Sequence, residues 1–245
     1  MITKSLTVQR WSTEAGTLRA WVAIAALAGG TFLASAQIVE YPINSSLGSA
    51  TTMNAINVNA NITASQLQLV GVPVSSFSQT MAGQGSWPLG AYNSGKYFQF
   101  SVTPNSGYAV SYSSLTYALF RTLITPSSDI SSWSLHASTD GFSSSDITLD
   151  NVSLSGSGLT EQVTFNSNVS ALGTQAGTVT FRLYGKDNGA SGGGLAGLAN
   201  RVSFAGTGSN VLLGGSVSPV PEVEHMAFAA GVGLLAFAAI RRRTA

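Results

Sequence analysis

Between residues 37 and 218 apolar side chains recur at every second position, and this period narrows what the chain can become more than any other feature. Phe98, Phe100 and Val102 share one side of Lys96–Thr103, and Tyr108, Val110 and Tyr112 share a side of the next run. Leu115, Tyr117 and Leu119 follow after Ser113-Ser114. Trp133, Leu135 and Ala137 repeat the pattern with Ser134 and His136 opposite; Val179, Phe181 and Leu183 repeat it with Thr180, Arg182 and Tyr184 opposite. Ile147 and Leu149 alternate, and Val152 and Leu154 resume out of phase; Val163 with Phe165, Val202 with Phe204 and Val211 with Leu213 complete the series. Successive side chains of a strand point to opposite faces, so this period marks half-buried strands and not helices. Turn signals such as Pro104-Asn105-Ser106-Gly107 separate the runs. Many short strands of this kind, dry on one face and wet on the other, specify antiparallel sheets packed on each other. The expected fold is therefore all-β: an antiparallel two-sheet β-sandwich of roughly eight to ten strands, jelly-roll-like. Between residues 37 and 81 only Ile38–Tyr41 and Leu67–Val70 read as strands, and Ala190–Gly197 reads as a short irregular turn.

Both ends depart from this pattern. The chain finishes with Pro219-Val220-Pro221-Glu222-Val223-Glu224-His225, then an uncharged apolar run from Met226 to Ile240, then Arg241, Arg242 and Arg243. Fifteen helical residues reach about 22 Å, short of a hydrocarbon core of roughly 30 Å. Snorkelling arginines and a thinned bilayer would allow the run to span. The arginines set its topology: positive clusters stay cytoplasmic, so the body lies across the membrane. At the other end Lys4, Arg10 and Arg19 precede an apolar stretch, Ala20 to Leu33, and Ala34-Ser35-Ala36 offers a small-x-small cleavage site. This is the plan of a secretory signal, with signal peptidase cutting between Ala36 and Gln37 after passage through the translocon. The expected organisation is a signal peptide with its signal helix at 1–36, a β-sandwich domain at 37–218, and a sorting segment at 219–245 whose transmembrane helix is 226–240.

The tripartite ending resembles the PEP-CTERM sorting signal of Gram-negative bacteria. That resemblance implies recognition by an exosortase-type membrane protease, with Pro221 and Glu222 as substrate residues. Val223 stands where the family motif has its second proline. Three blocks of the body, Gly95–Pro104, Trp133–Phe142 and Val179–Gly185, are similar to the single sandwich domain of uncharacterised PEP-CTERM proteins, which resembles carbohydrate-binding jelly rolls. Those relatives often end in a Leu-Asp-Asn-Val strand; here Leu149-Asp150-Asn151-Val152 comes earlier, and no ligand site is carried over.

Composition limits the chemistry. The 245 residues contain no cysteine, which removes disulfide staples, thiol nucleophiles and cysteine metal sites. Charged residues are only 9% of the chain. Within 37–218 the cations are Lys96, Arg121, Arg182, Lys186 and Arg201, against Glu40, Asp129, Asp140, Asp146, Asp150, Glu161 and Asp187. No basic patch results, which argues against nucleic acid as a partner. A surface of Ser, Thr, Asn and Gly suits contact with neutral or acidic extracellular polysaccharide.

Catalytic constellations are sparse. His225 belongs to the tail, so a Ser-His-Asp triad would have to use His136, and no Gly-x-Ser-x-Gly elbow marks a nucleophile. His136 reads as a solvated strand residue. Asp140, Asp146 and Asp150 cluster around a turn, where they would cap it, coordinate calcium, or supply the paired carboxylates of a glycosidase. Trp87, Trp133, Tyr92 and Tyr97 offer flat surfaces for sugars. Trp133 is in phase with core positions, and Trp87, in Gly85-Ser86-Trp87-Pro88, is the better platform where its loop exposes it. The leading expectation is an exported, non-enzymatic protein of the envelope or extracellular matrix that needs no cofactor. A carbohydrate- or calcium-binding module is the alternative, and a glycosidase the third.

Overall fold

The computed structural model describes residues 36–43, 50–75, 79–84, 87–88, 91–92, 95–122, 132–154, 160–186, 195–200 and 209–220. All fall within the compact unit Ser35–Ala245. The expected signal helix, Pro221, Glu222, the apolar run 226–240, Arg241, Arg242, Arg243 and the Val202–Phe204 strand lie outside the described residues. Among the described residues no helix is long and apolar enough to cross a membrane.

The described residues form two sheets, one of eight strands and one of seven, and every pairing between strands is antiparallel. In chain order the strands are β1 (Ala36–Tyr41), β2 (Thr52–Met53), β3 (Ile62–Ala64), β4 (Leu67–Val70), β5 (Val74–Ser75), β6 (Thr80–Gln84), β7 (Tyr97–Pro104) and β8 (Tyr108–Thr122). They continue with β9 (Ser132–Ser138), β10 (Ile147–Ser153), β11 (Thr160–Asn168), β12 (Thr174–Gln175), β13 (Val179–Lys186), β14 (Leu195–Ala199) and β15 (Val211–Pro219). Fifteen strands exceed the eight to ten expected because several are only two to five residues long, too short to display a period.

The larger sheet is built on β8. Along one edge β8 pairs first with β15 and then with β14; along the other it pairs with β12 and then β11. The break read at Ser113-Ser114 is a β-bulge inside this one strand: Tyr112 faces Gly215 and Ser114 faces Gly214, with Ser113 as the extra residue. A second bulge, at Leu149, accounts for the phase change in β10. The smaller sheet runs β10-β9-β13-β7-β4-β2, with β3 also on β7.

The alternating apolar residues of both sheets meet in one core. Phe98, Phe100, Leu135, Phe181 and Leu183 come from the smaller sheet; Tyr112, Leu115, Tyr117, Leu119 and Leu213 come from the larger. Phe100 stacks on Phe181 at 4.9 Å, and Tyr112 meets Phe181 edge-on at 5.6 Å. Because one face of β7, β9 and β13 fills the core, their alternate residues must lie on the outer face, which carries the polar side chains considered next.

Candidate functional site

The register of β7, β13 and β9 fixes a small lattice on that outer face. Gln99, Arg182 and His136 lie in one cross-strand row, and Tyr97, Tyr184 and Ser134 in the next. Arg182 is the hub. Its guanidinium carbon stands 4.2 Å from the Tyr97 ring centre and 4.1 Å from that of Phe142. Nε donates to Gln99 Oε1 at 2.7 Å, and Nη1 to the Tyr184 hydroxyl at 3.4 Å. Tyr97 and Tyr184 meet edge-on at 5.5 Å, as do His136 and Tyr184 at 5.1 Å. Burial raises the Tyr184 phenol above its ordinary pKa, opposed by the hydrogen bond and charge of Arg182.

Phe142 arrives from the loop joining β9 to β10, and Asp140 organises that loop. Its carboxylate accepts six hydrogen bonds, from the Ser138, Ser144 and Ser145 hydroxyls and from the Ser143, Ser144 and Ser145 amides. These donors hold the Asp140 carboxyl far below the usual carboxylate range, the Ser144 hydroxyl contributing most. Within the loop Phe142 has φ 68°, a left-handed conformation that disfavours residues with a Cβ. Its amide donates to Ser138 Oγ at 2.8 Å. Local hydrogen bonding thus offsets backbone strain and lays a phenyl ring over Arg182.

The same loop ends at Asp146, whose Oδ1 lies 2.6 Å from His136 Nδ1, while His136 Nε2 lies 2.7 Å from Ser134 Oγ. His136 is therefore not the solvated strand residue expected from the sequence. The hydrogen bonds are those of a Ser-His-Asp relay, but access is inverted. Ser134 is only 1% exposed, whereas the Asp146 side chain is 54% exposed. A nucleophile must meet substrate while its orienting acid stays shielded; here the acid meets solvent and the hydroxyl is closed off. What the relay does achieve is to pin the loop to the sheet.

The other candidate residues are dispersed. Trp87 is a core residue, 3% exposed, packed edge-on against Trp133 at 5.0 Å, with Nε1 3.4 Å from the Gly83 carbonyl oxygen. A ring so enclosed presents no face to a sugar, which corrects the expectation of a loop platform. Trp133, at 0% exposure, lies in the core. Asp140, Asp146 and Asp150 take three separate roles. Asp150 accepts from Ser167 Oγ at 2.6 Å and from the Asn151 amide at 2.8 Å, away from the loop carboxylates. Among the described residues no group of three or more His, Cys, Asp or Glu could hold a metal ion. Ala36 and Gln37 open β1, opposite Gly215 and Gly214. Tyr92 is exposed, with Lys186 Nζ 5.4 Å from its ring centre. Sequence alone does not mark Arg182, Phe142, Gln99 and Tyr184 as a cluster. Alternation does place Arg182 and Tyr184 outward; the fold-back of the loop carrying Phe142 leaves no periodic trace.

No family model and no curated protein matches this chain. Among solved structures it is similar to an arabinose-bound α-L-arabinofuranosidase, with a TM-score of 0.35 and 15% identity, over 73% of this chain and 27% of that one. The chain thus corresponds to about a quarter of that enzyme's length.

Proposed function

We propose that this is an exported protein of the cell envelope or extracellular polysaccharide matrix, sorted by an exosortase-type system, whose jelly-roll-like sandwich acts by contact and not by catalysis. The observation that carries this reading is the order of features in the sequence: a charged and apolar leader with a small-x-small site before the body, and an apolar run closed by Arg241, Arg242 and Arg243 after it. The pairing of β1 with β15 is compatible with that order. Ala36, the first residue of β1, lies opposite Gly215 of β15, and β15 ends only four residues later at Pro219. The start of β1 and the end of β15 therefore lie at one end of one sheet, a geometry that suits a leader and a sorting segment joined there. The inverted access of Ser134, His136 and Asp146 supports a role without catalysis.

The test is the intact mass and location of the protein in cells with and without the sorting enzyme. Mature protein lacks residues 1–36, and Glu222→Ala leaves the tail attached and the protein in the inner membrane. A mass that still includes Trp21, or release unaffected by Glu222→Ala, overturns the reading.

A second reading, a carbohydrate-binding module, is favoured by the aromatic and cationic outer face around Arg182. Its calcium-binding form is less well supported, since Asp140, Asp146 and Asp150 are each engaged by protein donors.

A further inference from the structure

We infer that the outer face of β7, β9 and β13 binds an acidic, uronate-bearing polysaccharide, with Arg182 receiving a sugar carboxylate. Arg182 is half-buried, yet among the described residues it forms no ion pair. The acid on the same face, Asp146, is bound to His136. The hydrogen bonds of Arg182 to described residues use Nε and Nη1 only, so Nη2 has no partner there. A partly desolvated cation with no carboxylate in direct contact is unfavourable, and contact with the Tyr97 and Phe142 rings offsets only part of that cost. The guanidinium is tied along one edge and open along another, so a ligand finds it already oriented. A planar fork held this way matches the two oxygens of a carboxylate.

The surroundings select a sugar acid over a bare one. Tyr97 and Phe142 flank the guanidinium, and Tyr92 lies exposed beside Lys186. The exposed Tyr92 ring offers an apolar face to the C–H side of a pyranose. Lys186 stands on the same side of β13 as Arg182, four residues on, which is roughly 13 Å along a strand. Among the described residues it also lacks an ion pair. Two cations in line on one side of a strand suit a polymer that repeats its charge. Phe142 completes the site only because the Asp140 network holds a strained backbone in place.

This inference rests on the carbohydrate-binding reading and is independent of sorting. Full-length protein in detergent is titrated with polygalacturonate, with the neutral glucan dextran and with polyglutamate, at low and high salt. The expected result is binding to polygalacturonate that weakens with salt, and none to the other two. Arg182→Gln lowers the affinity at least about tenfold, the scale of a lost charge-assisted hydrogen bond. Arg182→Lys, which keeps the charge but not the fork, does not restore it. If circular dichroism shows Arg182→Gln to be unfolded, Lys186→Gln decides, with a several-fold loss expected. Equal binding of polyglutamate would point to an acidic protein partner and overturn the inference. So would unchanged affinity in a folded Arg182→Gln protein, or in Lys186→Gln. Binding of dextran without polygalacturonate removes the uronate site and leaves the broader carbohydrate reading standing; binding of neither polysaccharide removes both.

Discussion

Asp140 shows how one residue can shape a surface through the hydrogen bonds of its own loop. Its two oxygens are filled by serine hydroxyls and amides of its own loop, and those bonds favour the ionised form. Its pKa in the folded chain therefore lies below its ordinary value of 3.8. A group depressed in this way stabilises the folded loop above the unfolded value and loses that contribution as pH falls toward the folded one. The carboxylate is exposed, so the effect belongs to the loop and not to global stability. Two results follow for amide hydrogen exchange at Ser143, Ser144 and Ser145. Protection relative to the intrinsic rate holds above about pH 4 and declines below it. Asp140→Ala abolishes that protection at neutral pH while the β13 amides are unchanged. Equal protection in the variant would mean the loop is held by His136 and Asp146 alone. The aspartates were legible as turn residues, but their division of labour was not. Which oxygen meets which serine depends on the loop's path, and sequence spacing does not encode that path.

Strands differ in how plainly the sequence announces them. β7, β9 and β13 are long and alternate cleanly, so their inward and outward faces could be read residue by residue. The sequence predicts two strands where β8 runs, since a one-residue phase change signals a bulge or a break equally well; only the partner Gly214-Gly215 shows which. The first three residues of β14 fall in Ala190–Gly197, the stretch expected to form a short irregular turn, because Leu195-Ala196-Gly197-Leu198-Ala199 has no polar side and so shows no alternation. The structure pairs β14 with β8 and β6 along its edges and buries all five residues: Ala196 and Leu198 join the main core, while Leu195 and Ala199 pack with Ala82 and Phe120 in a second cluster, and a strand buried on both faces has no reason to alternate. Its glycine is forced by that position. A Cβ on Gly197 would overlap the Met81 carbonyl oxygen and come within 2.8 Å of Ala82 Cα, both backbone atoms of the neighbouring β6. Gly197→Ala is therefore expected to cost about 1–3 kcal/mol, read as a lower midpoint in urea denaturation. An unchanged midpoint would show that β6 and β14 do not pack this closely.

At the scale of the whole molecule, β1 is the first strand among the described residues. This strand is held on both sides: by β15 along one edge, and by Glu40 and Ile38 bonded to the backbone of Ile56 and Asn59 along the other. Ile38, Val39 and Tyr41 are 2%, 0% and 0% exposed, and the Tyr41 hydroxyl donates to the Ser65 carbonyl at 2.8 Å. Burial of each side chain is worth roughly 1.5–3 kcal/mol, so three together rival the about 5–15 kcal/mol that holds a domain folded. Ala36 and Gln37, by contrast, are exposed. A chain beginning at Gln37 should therefore melt cooperatively, whereas one beginning at Pro42 should show no cooperative transition by calorimetry. Cooperative melting of the shorter chain would mean that β1 is dispensable, and the start of the domain would move inward. The physical limit is narrow: a cut at Ala36 spares every buried side chain of the strand, and a cut three residues later removes two of them.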